Sequence, residues 1–247
     1  MDLRLGGRTA IVCGASAGIG LAIAEALAEE GANVVLFARR RDVLDREAAR
    51  IGGLAVPGDV RSAEDAERLV EMTVDAYGGI DILVNNSGGP PRTPAVGLKD
   101  AQVEEAVQLL LVSVVRLTGL CLPHLERSPH GRIVNITSST VREPIDDLAL
   151  SNLVRPGVIG WAKTLSRELG PKGITVNSIA PGRIDTDRIR EVWPDGPSEA
   201  DLATIPLRRL GTPREIGDVV AFLASERAAY ITGAVIPVDG GVTRGLT

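Results

Sequence analysis

Short apolar runs alternate with longer amphipathic segments along most of the chain. The short runs are rich in valine and isoleucine and predict strands over residues 9–13, 33–37, 54–57, 80–84, 132–136, 174–179 and 234–238. Apolar residues spaced three or four apart predict helices over 19–30, 64–77, 103–125 and 158–169. Because continuous apolar strands are buried on both faces, this alternation predicts an α/β fold, a doubly wound parallel seven-stranded sheet with helices on both faces.

The chain is predicted to fold as a single domain over residues 1–247. No internal repeat, low-complexity segment or linker interrupts the alternation, and 247 residues suffice for one large core. The least regular stretch is 183–205, which contains the sequence Trp-Pro-Asp-Gly-Pro. Long irregular segments in compact domains are commonly functional, so we predict that this one is a substrate loop.

Composition argues against several classes of protein. The chain carries 27 basic and 32 acidic residues and a net charge of −5, which argues against nucleic-acid binding. No apolar run reaches membrane-spanning length and residues 1–8 lack a signal-peptide pattern, so a cytoplasmic protein without a membrane partner is predicted. Cys13 and Cys121 lie in apolar runs and are predicted to be buried, reduced thiols. His124 and His130 lie far in sequence from ligand-type partners, so no metal site is predicted.

A glycine-rich turn lies between the first predicted strand and the first predicted helix. Its sequence is GASAGIG, and the candidate ligand-binding residues in it are Gly14, Ser16, Gly18, Ile19 and Gly20. Glycine lets the backbone approach a ligand closely, and the N-terminal amides of the following helix favour an anion. In this strand–turn–helix context the motif predicts a site for the pyrophosphate of a dinucleotide, with a purely structural turn as the alternative.

The end of the second predicted strand indicates which dinucleotide is bound. An acidic residue there would bind the ribose 2′-hydroxyl of NAD, but the chain has Arg39, Arg40 and Arg41 instead. Cations at the start of a helix are unfavourable unless they meet an anion. We therefore predict that Arg39 and Arg40 bind the 2′-phosphate of NADP(H), which is the expected cofactor in preference to NAD(H). A solvated run of charges is the alternative.

Polar and small residues also follow the later predicted strands. Ligands bind at the carboxyl ends of strands in open α/β sheets, so these residues are further candidates for cofactor binding. They are Asp59, Val60, Asn86, Ser87, Gly88, Pro181 and Gly182.

Together these motifs resemble the short-chain dehydrogenase/reductase family, and in particular its 3-oxoacyl-[acyl carrier protein] reductase-like members. The resemblance extends over nearly the whole chain. It implies a single-domain Rossmann fold, a homo-oligomer (a dimer or a tetramer) and a small-molecule carbonyl substrate. It also implies that Asp59 binds the adenine. Near the nicotinamide it places Pro181, Gly182, Ile184 and Thr186.

The catalytic tetrad of the family is only partly present. Ser138, at the end of the fifth predicted strand, matches the serine of the family. Ser151 occupies the tyrosine position, Arg155 the lysine position and Leu110 the asparagine position. A serine hydroxyl is a poorer acid than a phenol and is too short to reach a carbonyl placed for tyrosine. Arginine keeps a positive charge but does not relay protons.

Two functions are compatible with this pattern. In the first, the protein is an NADP(H)-dependent carbonyl reductase in which Ser138 polarises the carbonyl and Arg155 holds the nicotinamide ribose. Water, Ser151 or an acid from the loop after the fifth strand would supply the proton. The loop acids are Glu143, Asp146 and Asp147. In the second, the protein binds a dinucleotide without turnover, as a cofactor sensor or a partner subunit.

The longest predicted helix bears on the oligomeric state. Residues 103–125 carry more apolar side chains than contact with one sheet face requires. We therefore expect this helix to pair with the same helix of a second subunit.

Overall fold

A computed structural model, which describes residues 2–245, has a parallel seven-stranded sheet at its centre. The strands are β1 (Thr9–Cys13), β2 (Asn33–Ala38), β3 (Leu54–Pro57), β4 (Ile82–Asn85), β5 (Arg132–Ile136), β6 (Thr175–Pro181) and β7 (Val235–Val238). Their order in the sheet is β3-β2-β1-β4-β5-β6-β7, which confirms the predicted fold class. The order reverses between β1 and β4, where open α/β sheets bind ligands. Of the predicted domain, Met1, Leu246 and Thr247 lie outside the described residues.

Helices cover both faces of the sheet. They are α1 (Gly18–Glu29), α2 (Arg41–Ile51), α3 (Ala63–Tyr77), α4 (Asp100–Val107), α5 (Ser113–Leu125), α6 (Ala149–Leu169), α7 (Asp187–Val192), α8 (Glu199–Ala203) and α9 (Pro213–Ala224). One apolar core lies between the sheet and α1, α2 and α9, and a second lies between the opposite face and α3, α5 and α6. Cys13 and Cys121 lie in the second core, as predicted, and burial raises the pKa of the Cys13 thiol to about 12.

The segment 183–205 is more regular than predicted. It contains α7 and α8, two short helices that begin with polar residues. At the start of α8 the Ser198 hydroxyl accepts from the Asp201 amide (3.1 Å), and the Asp201 carboxylate accepts from the Ser198 amide (3.0 Å). Helices of six and five residues are too short to show an apolar periodicity in the sequence.

The helix predicted over 103–125 begins earlier, at Asp100, and a π-helical turn at Gln108–Val112 separates α4 from α5. Immediately after this turn the Ser113 hydroxyl donates to the carbonyl of Leu109 (2.6 Å). Leu110, in the middle of the turn, is 3% exposed. Single π-turns inside helices often occur at functional sites. Leu110 of this turn lines a small cavity that is described with the candidate site below.

The expectation that no apolar run reaches membrane-spanning length was wrong for this helical segment. By length and composition alone, Asp100–Leu125 is apolar enough to cross a membrane. However, Leu117, Cys121 and Leu125 are buried in the second core, so part of its apolar character serves packing inside the domain. Other apolar side chains in this part of the structure are uncovered. Val115 on α5 is 40% exposed, and Leu153 on α6 is 56% exposed.

We predict that these uncovered side chains lie in the interface of a homo-oligomer, where burial of apolar surface stabilises association. Light scattering at micromolar concentration should give a dimer or a tetramer. The double variant Val115→Glu/Leu153→Glu should give a smaller species, because it places like charges at the interface. Val96→Glu, at a side chain that is 90% exposed in a loop, is the matched control and should keep the assembly. A monomeric wild-type protein would contradict the prediction.

Candidate functional site

Two adjoining clefts lie at the carboxyl ends of the strands, with volumes of about 530 and about 360 Å³, in the range of small-molecule sites. The first, called here the arginine cleft, is lined by Gly14, Ser16, Arg39, Arg40, Asp59, Val60, Arg61, Asn86, Ser87 and Gly88, among others. The second, called here the serine cleft, is lined by Gly14, Gly18, Ile19, Gly20, Asn86, Ser87, Gly88, Ser138, Ser151, Arg155, Pro181, Gly182, Ile184 and Thr186, among others. Every candidate cofactor-binding residue from the sequence, together with Ser138, Ser151 and Arg155, therefore lines one cleft or both.

The glycine-rich turn has the geometry of an anion site. Gly14 has a φ of +63°, a conformation that L side chains rarely adopt. A Cβ on Gly20 would lie 2.2 Å from the Gly14 carbonyl oxygen, so no larger residue fits there. The first turn of α1 contains no acidic residue, and Ala17 at its N-cap provides no side-chain acceptor. The first amides of α1 are thus left free of a side-chain cap, which fits the phosphate groups of a dinucleotide.

The arginine cleft holds two guanidinium groups without a carboxylate partner. Arg40 Nη2 lies 3.3 Å from the Ser16 hydroxyl, and both Arg39 and Arg40 are exposed. Across residues 2–245, neither arginine forms an ion pair. The positive charge of both side chains is therefore available to an anionic ligand.

A third arginine in this cleft, Arg61, was missed by the sequence analysis. Its Nη2 donates to Asp59 Oδ2 (2.7 Å) and its Nε donates to Asp59 Oδ1 (3.1 Å). The hydrogen bonds from Arg61 are the main reason that the pKa of Asp59 is lowered. Its position two residues after Asp59, at the end of a strand, was the available signal. Because Asp59 already accepts from Arg61, any contact of its carboxylate with a ligand uses the remaining lone pairs.

The serine cleft contains a chain of hydrogen bonds that joins β5 to α6. Arg155 Nε donates to the Ser151 hydroxyl (3.1 Å), which in turn lies 3.2 Å from the Thr140 hydroxyl. The Thr140 amide donates to the Ser138 hydroxyl (3.2 Å). Arg155 Nη1 donates to the carbonyl of Ile136 (3.2 Å) at the end of β5. Ser138, Ser151 and Arg155 are thus brought together, and Thr140 is a member of the chain that the sequence analysis did not single out.

Arg155 is a buried cation without a counterion. Its residue is 8% exposed, and none of the carboxylates described lies within ion-pair distance of it. Burial lowers the pKa of its guanidinium to about 10, which leaves the group charged at neutral pH. A buried charge is costly unless it is paired, so the site retains an unfavourable charge that an anionic ligand can offset.

A small cavity of about 20 Å³ lies behind Arg155, with room for one water molecule. Leu110 lines it from the π-helical turn, Ser113 from the start of α5 and Asn135 from β5. The Asn135 side chain accepts from Asn85 (2.9 Å), but its Nδ2 is buried without a hydrogen-bond partner. This orphaned donor is a polar partner for water in the cavity.

The three loop acids do not line either cleft. Glu143 Oε1 accepts from the backbone amides of Arg244 (2.6 Å) and Gly245 (3.1 Å). Asp147 lies 3.9 Å from Arg92 and is exposed, as is Asp146. Of the three alternative proton sources, the loop acids therefore have no geometric basis, because none of them lines the cleft that contains Ser138.

Comparison with known proteins assigns the chain to a family. Residues 14–243 match the family model described as Enoyl-(Acyl carrier protein) reductase. The chain belongs to the short-chain dehydrogenase/reductase family. It is 38% identical to the 3-oxoacyl-[acyl-carrier-protein] reductase FabG of Vibrio cholerae, over 97% of this chain and 99% of the relative. It is 37% identical to Dehydrogenase/reductase SDR family member 4 of Sus scrofa, over 95% and 86%.

Among solved structures, the chain is similar to L-sorbose reductase from Gluconobacter frateurii, a short-chain reductase complexed with NADPH and L-sorbose. The TM-score is 0.94, with 32% identity and complete coverage of both chains. In the present member of the short-chain dehydrogenase/reductase family, Ser151 and Arg155 lie one helical turn apart on α6 and both line the cleft that contains Ser138. Their assignment to the tyrosine and lysine positions of the family stays a prediction.

We predict that Arg155→Met raises the free energy of unfolding of the cofactor-free protein by about 1 kcal/mol or more, because it removes a buried, unpaired charge. Since the pKa of Arg155 is lowered in the folded state, its unfavourable contribution is fully present below pH 10 and decreases as the pH rises further. Urea unfolding between pH 6 and 9 should therefore give a constant difference between variant and wild type.

Ser151→Ala is the control for this measurement, because it removes a hydrogen-bond partner and keeps the charge. It should destabilise the protein by about 1 kcal/mol. An Arg155→Met variant that is less stable than the wild-type protein would show that the guanidinium is a structural element.

Proposed function

We propose that the protein is an NADP(H)-dependent reductase of carbonyl compounds, with 3-oxoacyl thioesters as the first candidate substrates. The observation that carries this proposal is that Arg39 and Arg40, which have no carboxylate partner among residues 2–245, lie in the arginine cleft. That cleft adjoins the serine cleft, which contains Ser138 and the buried cation Arg155. The reductase names of the relatives, and the NADPH in the L-sorbose reductase complex, agree with it. A cytoplasmic homo-oligomer is part of the same proposal.

The proposed cofactor extends across both clefts. Arg39 and Arg40 would hold the 2′-phosphate, and Asp59 with Val60 would contact the adenine. The glycine-rich turn and the first amides of α1 would hold the pyrophosphate. The nicotinamide half would lie beside the remaining candidates, which are Asn86, Ser87, Gly88, Arg155, Pro181, Gly182, Ile184 and Thr186. When bound, the reduced nicotinamide supplies a hydride.

The residues of the serine cleft would prepare the carbonyl for this reduction. The Ser138 hydroxyl would donate to the carbonyl oxygen. Arg155 would hold the ribose, and its charge would stabilise the negative charge that develops on that oxygen. Ser151 would orient the guanidinium of Arg155 through the hydrogen bond from Nε. Water in the cleft would supply the proton, because the loop acids do not line it.

Arg39→Gln and Arg40→Gln should each weaken NADPH binding about 10- to 100-fold, the cost of a hydrogen bond to a charged group. NADH binding should change little, since NADH lacks the 2′-phosphate. Arg41→Gln is the matched control, because Arg41 is the next residue in the chain and does not line the cleft. Calorimetric titration with both dinucleotides measures the effect. Equal weakening for NADPH and NADH would contradict the assignment.

Ser138→Ala should lower kcat for NADPH oxidation by about 10²- to 10³-fold with the NADPH affinity unchanged, because it removes one donor to the developing oxyanion. The control is Ser139→Ala, at a neighbouring residue that lines neither cleft, and it should retain activity. The assay uses 3-oxoacyl thioesters, aldehydes and quinones. Tight NADPH binding without oxidation by any of these acceptors would instead favour a dinucleotide-binding protein without turnover.

A further inference from the structure

The serine cleft can stabilise negative charge but contains no acid placed to neutralise it. Arg155 contributes a buried cation, and Ser138 and Ser151 contribute hydroxyl groups. Of the described residues that line this cleft, Asp187 alone has a carboxyl group; its side chain is 76% exposed and pairs with Arg190 (3.4 Å). A substrate oxygen in this cleft would therefore meet positive charge and hydroxyl donors, with solvent as the source of protons.

The geometry of Arg155 leaves one end of the guanidinium available to a ligand. Nε and Nη1 are occupied by Ser151 and by the carbonyl of Ile136. Nη2 forms no hydrogen bond within residues 2–245 and is not among the buried polar atoms that lack a partner. The cleft also contains a second cation, Arg188, but Glu191 pairs with it (3.2 Å). Arg155 is thus the unneutralised charge of the serine cleft.

A cation without a nearby acid favours some hydride acceptors over others. Hydride addition to an isolated ketone gives an alkoxide, which resembles hydroxide in basicity, and the pKa of water is about 15.7. Such an anion needs a proton as it forms. Two-electron reduction of a quinone gives a hydroquinone anion, which is a phenolate, and the pKa of a phenol is about 10. A cation can hold that anion until solvent protonates it.

We propose that quinones are the preferred acceptors of the serine cleft, with the hydroquinone anion held by Arg155. This inference rests on the proposed function, because the reductant is the same dihydronicotinamide. The quinone gains a hydride at one oxygen, which forms an O–H bond as the ring becomes aromatic. The opposite oxygen takes the negative charge and then one proton from solvent. The reductant loses one C–H bond and two electrons, so atoms and charge balance.

The lining of the serine cleft also includes apolar side chains. Pro90, Leu148 and Ile189 contribute apolar surface to the cleft that contains Ser138 and Arg155. A neutral quinone that becomes an anion at one oxygen requires both apolar contacts and a cation.

The binding test uses 4-nitrophenol, a phenol whose anion absorbs visible light, titrated into the protein in the presence of NADP⁺. Binding to the wild-type protein should lower the pKa of the phenol by about one unit or more, read from the absorbance of the phenolate. Arg155→Met should abolish the shift, and Arg155→Lys, which keeps the charge, should retain part of it. A wild-type protein that binds 4-nitrophenol without lowering its pKa, or does not bind it, overturns the inference.

The activity test compares kcat/KM for a benzoquinone and a 3-oxoacyl thioester with NADPH under anaerobic conditions, with a reaction lacking protein as the blank. The quinone should be preferred by about 100-fold or more. Preference for the thioester overturns the quinone inference and leaves the proposed function standing. If neither of these acceptors, nor an aldehyde, oxidises bound NADPH, the inference and the proposed function are overturned together.

Discussion

The organisation of the site depends on the burial of one guanidinium group without a carboxylate beside it. A charge in that position must be met by hydrogen bonds, and Arg155 obtains them from the end of β5 and from Ser151. Ser151 is in turn held by Thr140, whose amide donates to Ser138. The requirement to satisfy one cation thus fixes the positions of the hydroxyl groups around it, and it leaves a net positive charge facing the cleft.

The arginines of the arginine cleft differ in whether a carboxylate neutralises them. Arg61 is neutralised by Asp59 through several short contacts, whereas Arg39 and Arg40 have no carboxylate partner in the described part of the chain. Between these arginines and Arg155 lies the N-terminus of α1, without a side-chain cap. Each cleft therefore contains an arginine without a carboxylate partner, and residues of the glycine-rich turn line both clefts. That pattern fits an extended ligand with several anionic groups, as the family relationship leads one to expect.

The sequence predicted most of the sheet because parallel strands buried on both faces are nearly continuous apolar runs. It predicted Ser151 and Arg155 as neighbours because a spacing of four residues places them on one side of a helix. It did not predict α2, whose buried residues are few, or α7 and α8, which are only six and five residues long. It also missed α9, although the capping box of Thr212 and Glu215 was an available signal. Thr140 was missed for another reason, because its role depends on how the loop after β5 folds against α6. The position of Glu143 could not be predicted either, since nothing local shows that its carboxylate binds the backbone amides of Arg244 and Gly245.

The proposal for the serine cleft is that it stabilises the negative charge on the substrate oxygen during hydride transfer and that no proton reaches the substrate in the same step. Single-turnover oxidation of NADPH by a quinone tests it, with NADPH deuterated at the transferred position and with the solvent changed to D₂O in separate measurements. Deuterated NADPH should slow the reaction and D₂O should not, because the proton arrives after the hydride. A solvent isotope effect that accompanies the effect of deuterated NADPH would contradict it, since a proton would then move in the same step.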